Sequence, residues 1–362
     1  MDKRSILIGL HESEGLGWKR IEHILSRDEN WVHALDFTAT DWVERGLGAE
    51  IALRLSKMLT KSWIEERLEQ LNRKGISTLT IFDPLYPLLM KESVRPPWVL
   101  YGIGDMKLLA LPSIAVVGTR LPTAYGRKVC TELTTALCRR GMVVVSGLAK
   151  GIDGCCHEAA LRSGGRTVAV LGTAIDVIYP PENASLYQMI GEQGLILSEY
   201  PVGTPGHPGL FPQRNRIIAG LTYGTVVVEA DVRSGSLITA DAALEAGRDV
   251  FAVPGQITSP KSRGTLGLIR QGAKMVTDAQ DILEEYDVLL SNLEEKEEEI
   301  GSNDELTDEQ RRIYHMLEQD ISTFDELLMK TEWEFGHLHS VLLSLIMKKA
   351  VVQLPGSVYK VI

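Results

Sequence analysis

Six times between residues 113 and 255 the chain repeats one pattern, a short run of consecutive apolar residues followed by a helical stretch. The runs are 114–117, 142–145, 167–171, 195–198, 225–228 and 250–253. Uninterrupted valine, isoleucine and leucine predict strands covered on both faces, and their alternation with helices predicts a parallel sheet. The runs end in glycine or a polar turn at Gly118, Gly147, Gly172, Glu199, Glu229 and, after Pro254, Gly255. In such a sheet these turns gather at the carboxyl edge, where ligands bind.

The flanks are patterned differently. Residues 1–75 read as all helix, with apolar positions three and four apart in 18–25 and 51–59. Gly-Leu-Gly occurs there twice, at Gly15 to Gly17 and at Gly46 to Gly48, each time opening an amphipathic helix. The pair resembles helix-hairpin-helix or SAM-like units, whose hairpin N–H groups can grip a nucleic-acid backbone. Two ordinary helix starts in a small bundle fit better, because Glu12, Glu14, Glu44 and Glu50 crowd the would-be contact loops. Residues 76–112 carry Pro84, Pro87, Pro96, Pro97 and Pro112 and short β-rich pieces such as 98–101, a flap expected to add edge strands to the sheet. Beyond 305 come two short helical patterns, a third over 333–349, and two β pieces, 351–354 and 357–361, around Pro355-Gly356. Three helices and a hairpin are the layout of a winged helix. The expected domains are 1–75, 76–287, an acidic linker over 288–304, and 305–362.

Charge changes this picture only once it is located. The formal net charge of the 362 residues is −10. Twelve acidic residues and one lysine fall between Glu284 and Glu309, so the remainder is close to neutral and nucleic acid stays open as a partner. No early apolar run has the length of a signal core or a membrane span, which places the chain in the cytoplasm. Cys130, Cys138, Cys155 and Cys156 form no C-x-x-C pair and read as small thiols rather than a metal site.

The candidate chemistry lies at the strand ends. Phe211-Pro212-Gln213-Arg214-Asn215-Arg216 sets a ring, two guanidinium groups and an amide within six residues, and Ser234-Gly235-Ser236 adds hydroxyls beside a strand. Arginine forks match phosphate oxygens, helix starts add partial positive charge, and a ring offers a face for stacking. Gly118-Thr119-Arg120 and Ser146-Gly147, followed by Lys150, also sit just past strands. Arg120, Lys150, Arg214, Arg216 and Arg233 all map to one edge, which argues for a polyanion site. Neither glycine loop is a P-loop or a full dinucleotide fingerprint, and no cofactor is expected. Asp153, Glu199, Glu229 and His157 could serve as acids or bases, yet each also suits capping or pairing. No H-E-x-x-H or G-x-S-x-G occurs.

Taken together, Val117-Gly118-Thr119-Arg120, Tyr125-Gly126, Ser146-Gly147-Leu148-Ala149 with Gly151-Ile152-Asp153 and His157, Tyr179-Pro180, Ser198-Glu199-Tyr200-Pro201, Phe211-Pro212 with Arg214-Asn215-Arg216, Ser234-Gly235-Ser236 and Pro254-Gly255 resemble the DNA processing protein A (DprA/Smf) family over roughly 86–276. The resemblance implies an α/β protein with a Rossmann-like parallel-sheet core, an N-terminal helical domain and a C-terminal winged-helix-like domain. It implies a single-stranded DNA-binding recombination mediator, not an enzyme, that dimerises through the sheet domain, protects incoming DNA and helps load RecA recombinase in natural transformation. By the same resemblance Arg120 clamps phosphate, Phe211 stacks on a base, and 214–216 and 234–236 line the groove. Some relatives place a lysine just before the phenylalanine, where this chain has His207-Pro208-Gly209-Leu210, so that contact would be weaker or would come from Lys150. The third C-terminal helix opens with Glu332-Trp333-Glu334, which suits protein contact or folding better than a major groove. The alternative is a nucleotide-processing hydrolase of similar sheet, whose P-G-G-x-G-T-x-x-E signature is absent at Val228-Glu229-Ala230-Asp231.

Overall fold

A computed structural model of the chain describes all residues except 28, 292–306, 320, 349, 355–356 and 362. The described residues fall into two compact units, Met1–Glu285 and Tyr286–Ile362.

The first unit is built on a nine-stranded sheet. Its strands are β1 (Ser77–Thr80), β2 (Val99–Gly104), β3 (Ser113–Val117), β4 (Val143–Ser146), β5 (Thr167–Val170), β6 (Leu195–Ser198), β7 (Gly224–Val227), β8 (Asp249–Ala252) and β9 (Lys274–Met275). They lie in the order β1-β2-β6-β5-β4-β3-β7-β8-β9. The seven strands from β6 to β9 are parallel, and β2 and β1 add an antiparallel edge, as the proline-rich flap suggested. All six strands expected from the apolar runs are present.

Both faces of this sheet are covered, which explains why the runs are continuous rather than alternating. Val99, Tyr101, Ala169 and Ile196 point into one core with the N-terminal helices, while Leu100, Val168, Val170, Leu195 and Leu197 point into the other. Successive residues therefore serve opposite cores, the period of two that a pleated strand imposes. Each fully buried valine or leucine contributes about 1.5–3 kcal/mol.

The helices of this unit are α1 (Lys3–Glu12), α2 (Trp18–Arg27), α3 (Ala39–Glu44), α4 (Ala49–Met58), α5 (Lys61–Arg73), α6 (Leu88–Lys91), α7 (Ala124–Arg139), α8 (Ile152–Arg162), α9 (Ala184–Gln193), α10 (Leu210–Leu221), α11 (Gly235–Glu245), α12 (Arg263–Arg270) and α13 (Gln280–Leu283). The two Gly-Leu-Gly turns join α1 to α2 and α3 to α4, and each helix pair reaches the other's turn. Ile51 and Arg54 of α4 pack over Gly15, and His23 of α2 packs over Gly46. Glu14 does not repel this arrangement, because Arg54 Nη2 donates to its carbonyl at 2.6 Å. The segment 1–75 shares its core with the sheet and lies in the same compact unit.

The second unit contains α14 (Asp308–Gln319), β10 (Ser322–Thr323), α15 (Phe324–Thr331), α16 (Phe335–Met347), β11 (Val351–Leu354) and β12 (Val358–Val361), with strand order β10-β12-β11. This is the expected winged helix with one further short strand. Ile313, Leu327, Leu338, Leu342 and Tyr359 form its core. Thr323 and Glu326 close a capping box at the start of α15. The expected hairpin turn Pro355-Gly356 and most of the expected linker lie outside the described residues.

Candidate nucleic-acid interface

Strand order decides where the site lies. β3 is flanked by β4 on one side and β7 on the other, so the chain winds away from β3 in both directions and the loops after β3 and β7 diverge. A crevice must open there at the carboxyl edge. It is a cleft of about 590 Å³ lined by Gly118 and Arg120 after β3, Ala149 and Asp153 after β4, Tyr179 after β5, Phe211, Arg214 and Asn215 of α10, and Ser234, Gly235 and Ser236 at the start of α11. Three helices, α8, α10 and α11, thus begin at its wall, and their starts bring partial positive charge.

The loops are held close by backbone geometry that only some residues permit. Gly151, with φ of 83°, lies against the strand-end loop after β3, and a Cβ there would meet the Thr119 carbonyl oxygen at 2.3 Å. Ile152 N–H donates to that same carbonyl at 3.2 Å. On the far side, the buried Glu229 carboxylate accepts from Thr123 N–H at 2.9 Å and from its hydroxyl at 2.6 Å, which fixes the start of α7. Glu229 is therefore committed to holding this loop. Ser234 caps α11 through Ser236 N–H, and the two hydroxyls lie 2.8 Å apart.

Two arginines separated by one residue do opposite things. Arg214 is buried: its Nη1 donates to the carbonyl oxygens of Gly147 and Val170, and its Nε to Asn215 Oδ1 at 3.1 Å. Asp153, also buried, accepts from Gly147 N–H at 3.2 Å. Burial pushes the Asp153 carboxyl above its ordinary range and pulls Arg214 below its own, each opposed by the charge of the other. Arg214 presents one edge to the cleft while binding the sheet edge with the rest. Arg216 is a correction to the expected groove. It lies outside the cleft lining, turned to the other flank of α10, where Nη2 grips both oxygens of Glu199. Burial raises the Glu199 carboxyl, and Arg216 opposes this.

The remaining expected residues separate similarly. Arg120 is exposed at the cleft mouth and makes no ion pair among the described residues. Lys150 borders the narrow end of the cleft beside Arg120 and Gly147, in an exposed pair with Glu182. Thr119 lies just behind the mouth, its hydroxyl accepting from Lys261 Nζ at 3.3 Å. Ser146 is buried and donates to the Val116 carbonyl at 2.7 Å, so it ties strands together and does not reach the cleft. Arg233 is exposed one residue before the α11 cap and lines no part of the cleft. His157, weighed as a base, is fully buried with Nδ1 2.7 Å from the Thr167 hydroxyl, and burial drives it down to about 3.

Phe211 is half-buried, lying against Gly172, where a Cβ would meet its ring at 2.6 Å. Its outer partner is Tyr179, with ring centroids 5.1 Å apart at 51°. Tyr179 is 48% exposed. Sequence reasoning quoted Tyr179 without giving it a role and missed Lys261 altogether. The signal for Tyr179 was its place in a strand-end loop, whereas Lys261 reaches Thr119 from 142 residues away.

The family model described as DNA recombination-mediator protein A matches residues 77–287, and that of the DprA winged helix domain matches 297–357. The chain belongs to the DNA recombination-mediator protein A family. It is 48% identical to DNA processing protein DprA of Bacillus subtilis over 59% of this chain and 72% of that one. It is 47% identical to DNA processing protein DprA of Streptococcus pneumoniae over 58% of this chain and 74% of that one. Among solved structures, DNA processing protein A from Streptococcus pneumoniae aligns with a TM-score of 0.70 and 38% identity, covering 78% of this chain and 98% of that one. DNA processing protein A from Helicobacter pylori, described for its single-stranded DNA binding mode, aligns with a TM-score of 0.54 and 33% identity, covering 60% of this chain and 96% of that one.

Family membership accounts for the match of both the sheet and the winged helix. In the latter, the exposed positions of α16 that are described are Phe335, Gly336, His337, His339, Ser340 and Leu343, with no lysine or arginine among them. No described helix is long and apolar enough to cross a membrane.

Proposed function

We propose that the cleft between the β3 and β7 loops binds single-stranded DNA, and that the protein acts as a recombination mediator through it. The observation that carries this reading is the joining, in one open trough, of Arg120 with no ion pair among the described residues, the Phe211–Tyr179 ring pair, and the starts of three helices. Guanidinium and helix N–H groups suit phosphates, and exposed rings suit unpaired bases of any sequence. The Helicobacter pylori relative, described for binding single-stranded DNA, supports it.

Arg120, Lys150 and the 234–236 turn are the proposed phosphate contacts, with Gly118, Thr119 and Gly147 shaping the backbone approach. Phe211 and Tyr179 form the stacking platform, and Arg214 with Asn215 forms its floor. Binding here is not accompanied by catalysis in this reading: Glu199 and Glu229 already hold Arg216 and Thr123. Loading of RecA recombinase and dimerisation through the sheet unit extend the proposal from the family resemblance, as does a cytoplasmic site of action.

Competition among single-stranded DNA, duplex DNA and nucleoside monophosphates at two salt concentrations tests the reading. Preference for the single strand, with affinity falling as salt rises at about 0.7 log units per phosphate contact, is expected. Tight binding and turnover of a monophosphate would replace the mediator by a hydrolase. Light scattering reads the dimer separately.

A further inference from the structure

We propose that Arg95, seated over the indole of Trp18, forms a second phosphate subsite for a single strand leaving the cleft. This rests on the single-strand reading of the cleft and gives the strand a direction across the molecule.

The site is assembled from three parts of the chain. Arg95 Cζ lies 5.1 Å from the centre of the Trp18 ring. Trp18 opens α2 directly after the first Gly-Leu-Gly turn and stacks on Trp98 at 5.6 Å and 26°. Trp18 Nε1 donates to the Pro96 carbonyl at 2.7 Å, and Trp98 Nε1 returns a bond to the Trp18 carbonyl at 3.1 Å. The stretch 95–98 is thereby clipped to the helical segment. The Arg95 backbone is fixed a second time, because its carbonyl accepts from Arg216 Nη1.

The Arg95 charge rests on the Trp18 ring and acts on the buried Glu199 carboxyl without bonding to it, so its N–H donors are not taken up by a carboxylate. Its side chain is exposed and forms no ion pair among the described residues. Glu199, whose carboxyl feels the Arg95 charge, is gripped at both oxygens by Arg216. A guanidinium stabilised over an aromatic ring retains N–H donors for a phosphate, and is less hydrated than an ammonium would be. Lys19 and Arg20, both exposed, follow Trp18 in the chain.

The route from the cleft runs along α10. Pro212 lines the cleft and is exposed. Arg216 stands one turn further along α10, about 6 Å of helix rise, and on the neighbouring flank. That rise reaches only Arg216; the Arg95 guanidinium lies beyond the Arg216 and Arg95 side chains, over Trp18, so only a strand several nucleotides longer than the cleft reaches it. Arg216, which sequence reasoning put in the groove, instead becomes the bracket that holds the next contact.

The test compares oligothymidylates of about 6 and about 20 nucleotides, lengths that bracket the ~4–16-nucleotide footprints of single-strand binding folds. Fluorescence anisotropy is measured for the full chain, Arg95→Glu and Phe211→Ala. Arg95→Glu is expected to weaken the long oligomer about tenfold, the size of one charge-assisted contact, and to flatten its salt slope by about 0.7, with a much smaller effect on the short one. Arg95→Gln gives the same ordering at reduced size. Equal effects on both lengths, or none on either, overturn the subsite. If Phe211→Ala still loses both oligomers, the cleft reading stands without it; if Phe211→Ala loses neither, the cleft reading itself falls.

Discussion

Arg214 Nη1 lies 2.7 Å from the carbonyl oxygen of Gly147, crossing from α10 to the end of β4. This bond places the guanidinium inside the sheet edge, where its charge and that of the buried Asp153 each offset the other's burial without a direct ion pair among the described residues. Removing either partner leaves a buried charge uncompensated.

Arg214→Ala is therefore expected to destabilise the first unit by roughly 3–5 kcal/mol, and Arg216→Ala, which strips Glu199, by a comparable amount. Arg120→Glu should leave stability within about 0.5 kcal/mol, as for an exposed side chain free of structural roles. Urea denaturation of the three variants checks this. An Arg120 variant as unstable as the other two would contradict the division of labour drawn here.

Binding should show the reverse ranking. Phe211→Ala is expected to weaken single-strand affinity by about 1–3 kcal/mol, the cost of one lost stacking partner. Arg120→Glu should weaken it at low salt more than at high salt, since its contribution is electrostatic. Anisotropy titrations at two ionic strengths read both effects.

The ring's position depends on Gly172. A Cβ at that residue would come within 2.6 Å of the Phe211 ring, and the half-buried ring is what must move. Gly172→Ala should reduce affinity in the native background and have little further effect in Phe211→Ala. A double-mutant cycle measures this coupling, and additive losses would show that Gly172 acts elsewhere.

His157 gives a pH prediction with a definite sign. Its folded value near 3 lies below the ordinary 6.5, so the unfolded chain takes up the proton first. This contribution to stability is intact above pH ~6.5 and is lost progressively as pH falls toward the folded value. Moving from pH ~7.5 to ~5.5 should cost about 1.4 kcal/mol through this residue. His157→Gln removes the titration, and its denaturation midpoints should vary less over that range than those of the native chain.

Much of this architecture could be read along the chain because it is local. Six apolar runs gave six strands, and the small or polar residues that follow them gave the edge where the cleft opens. The proline-rich flap gave two edge strands because its β pieces find an open neighbour in β6. The site was harder to read for the same reason in reverse. Arg214 and Arg216 carry the same charge in the same motif, and nothing local distinguishes them; two residues of helix turn one toward Gly147 and the other toward Glu199. Lys261 was invisible because only the packing of 261–264 on the loop after β7 brings it to Thr119, 142 residues away.

Sequence by itself determined the elements, the covered parallel sheet and the kind of chemistry at its rim, since apolar periodicity and turn residues act over a few neighbours. Tertiary structure alone decided which cations are spent holding the protein together and which remain for a ligand. That choice rests on long-range partners, the carboxylate of Glu199 for Arg216 and no ion pair among the described residues for Arg120 or Arg95, and a charge is available only where folding has left it without a bonded carboxylate.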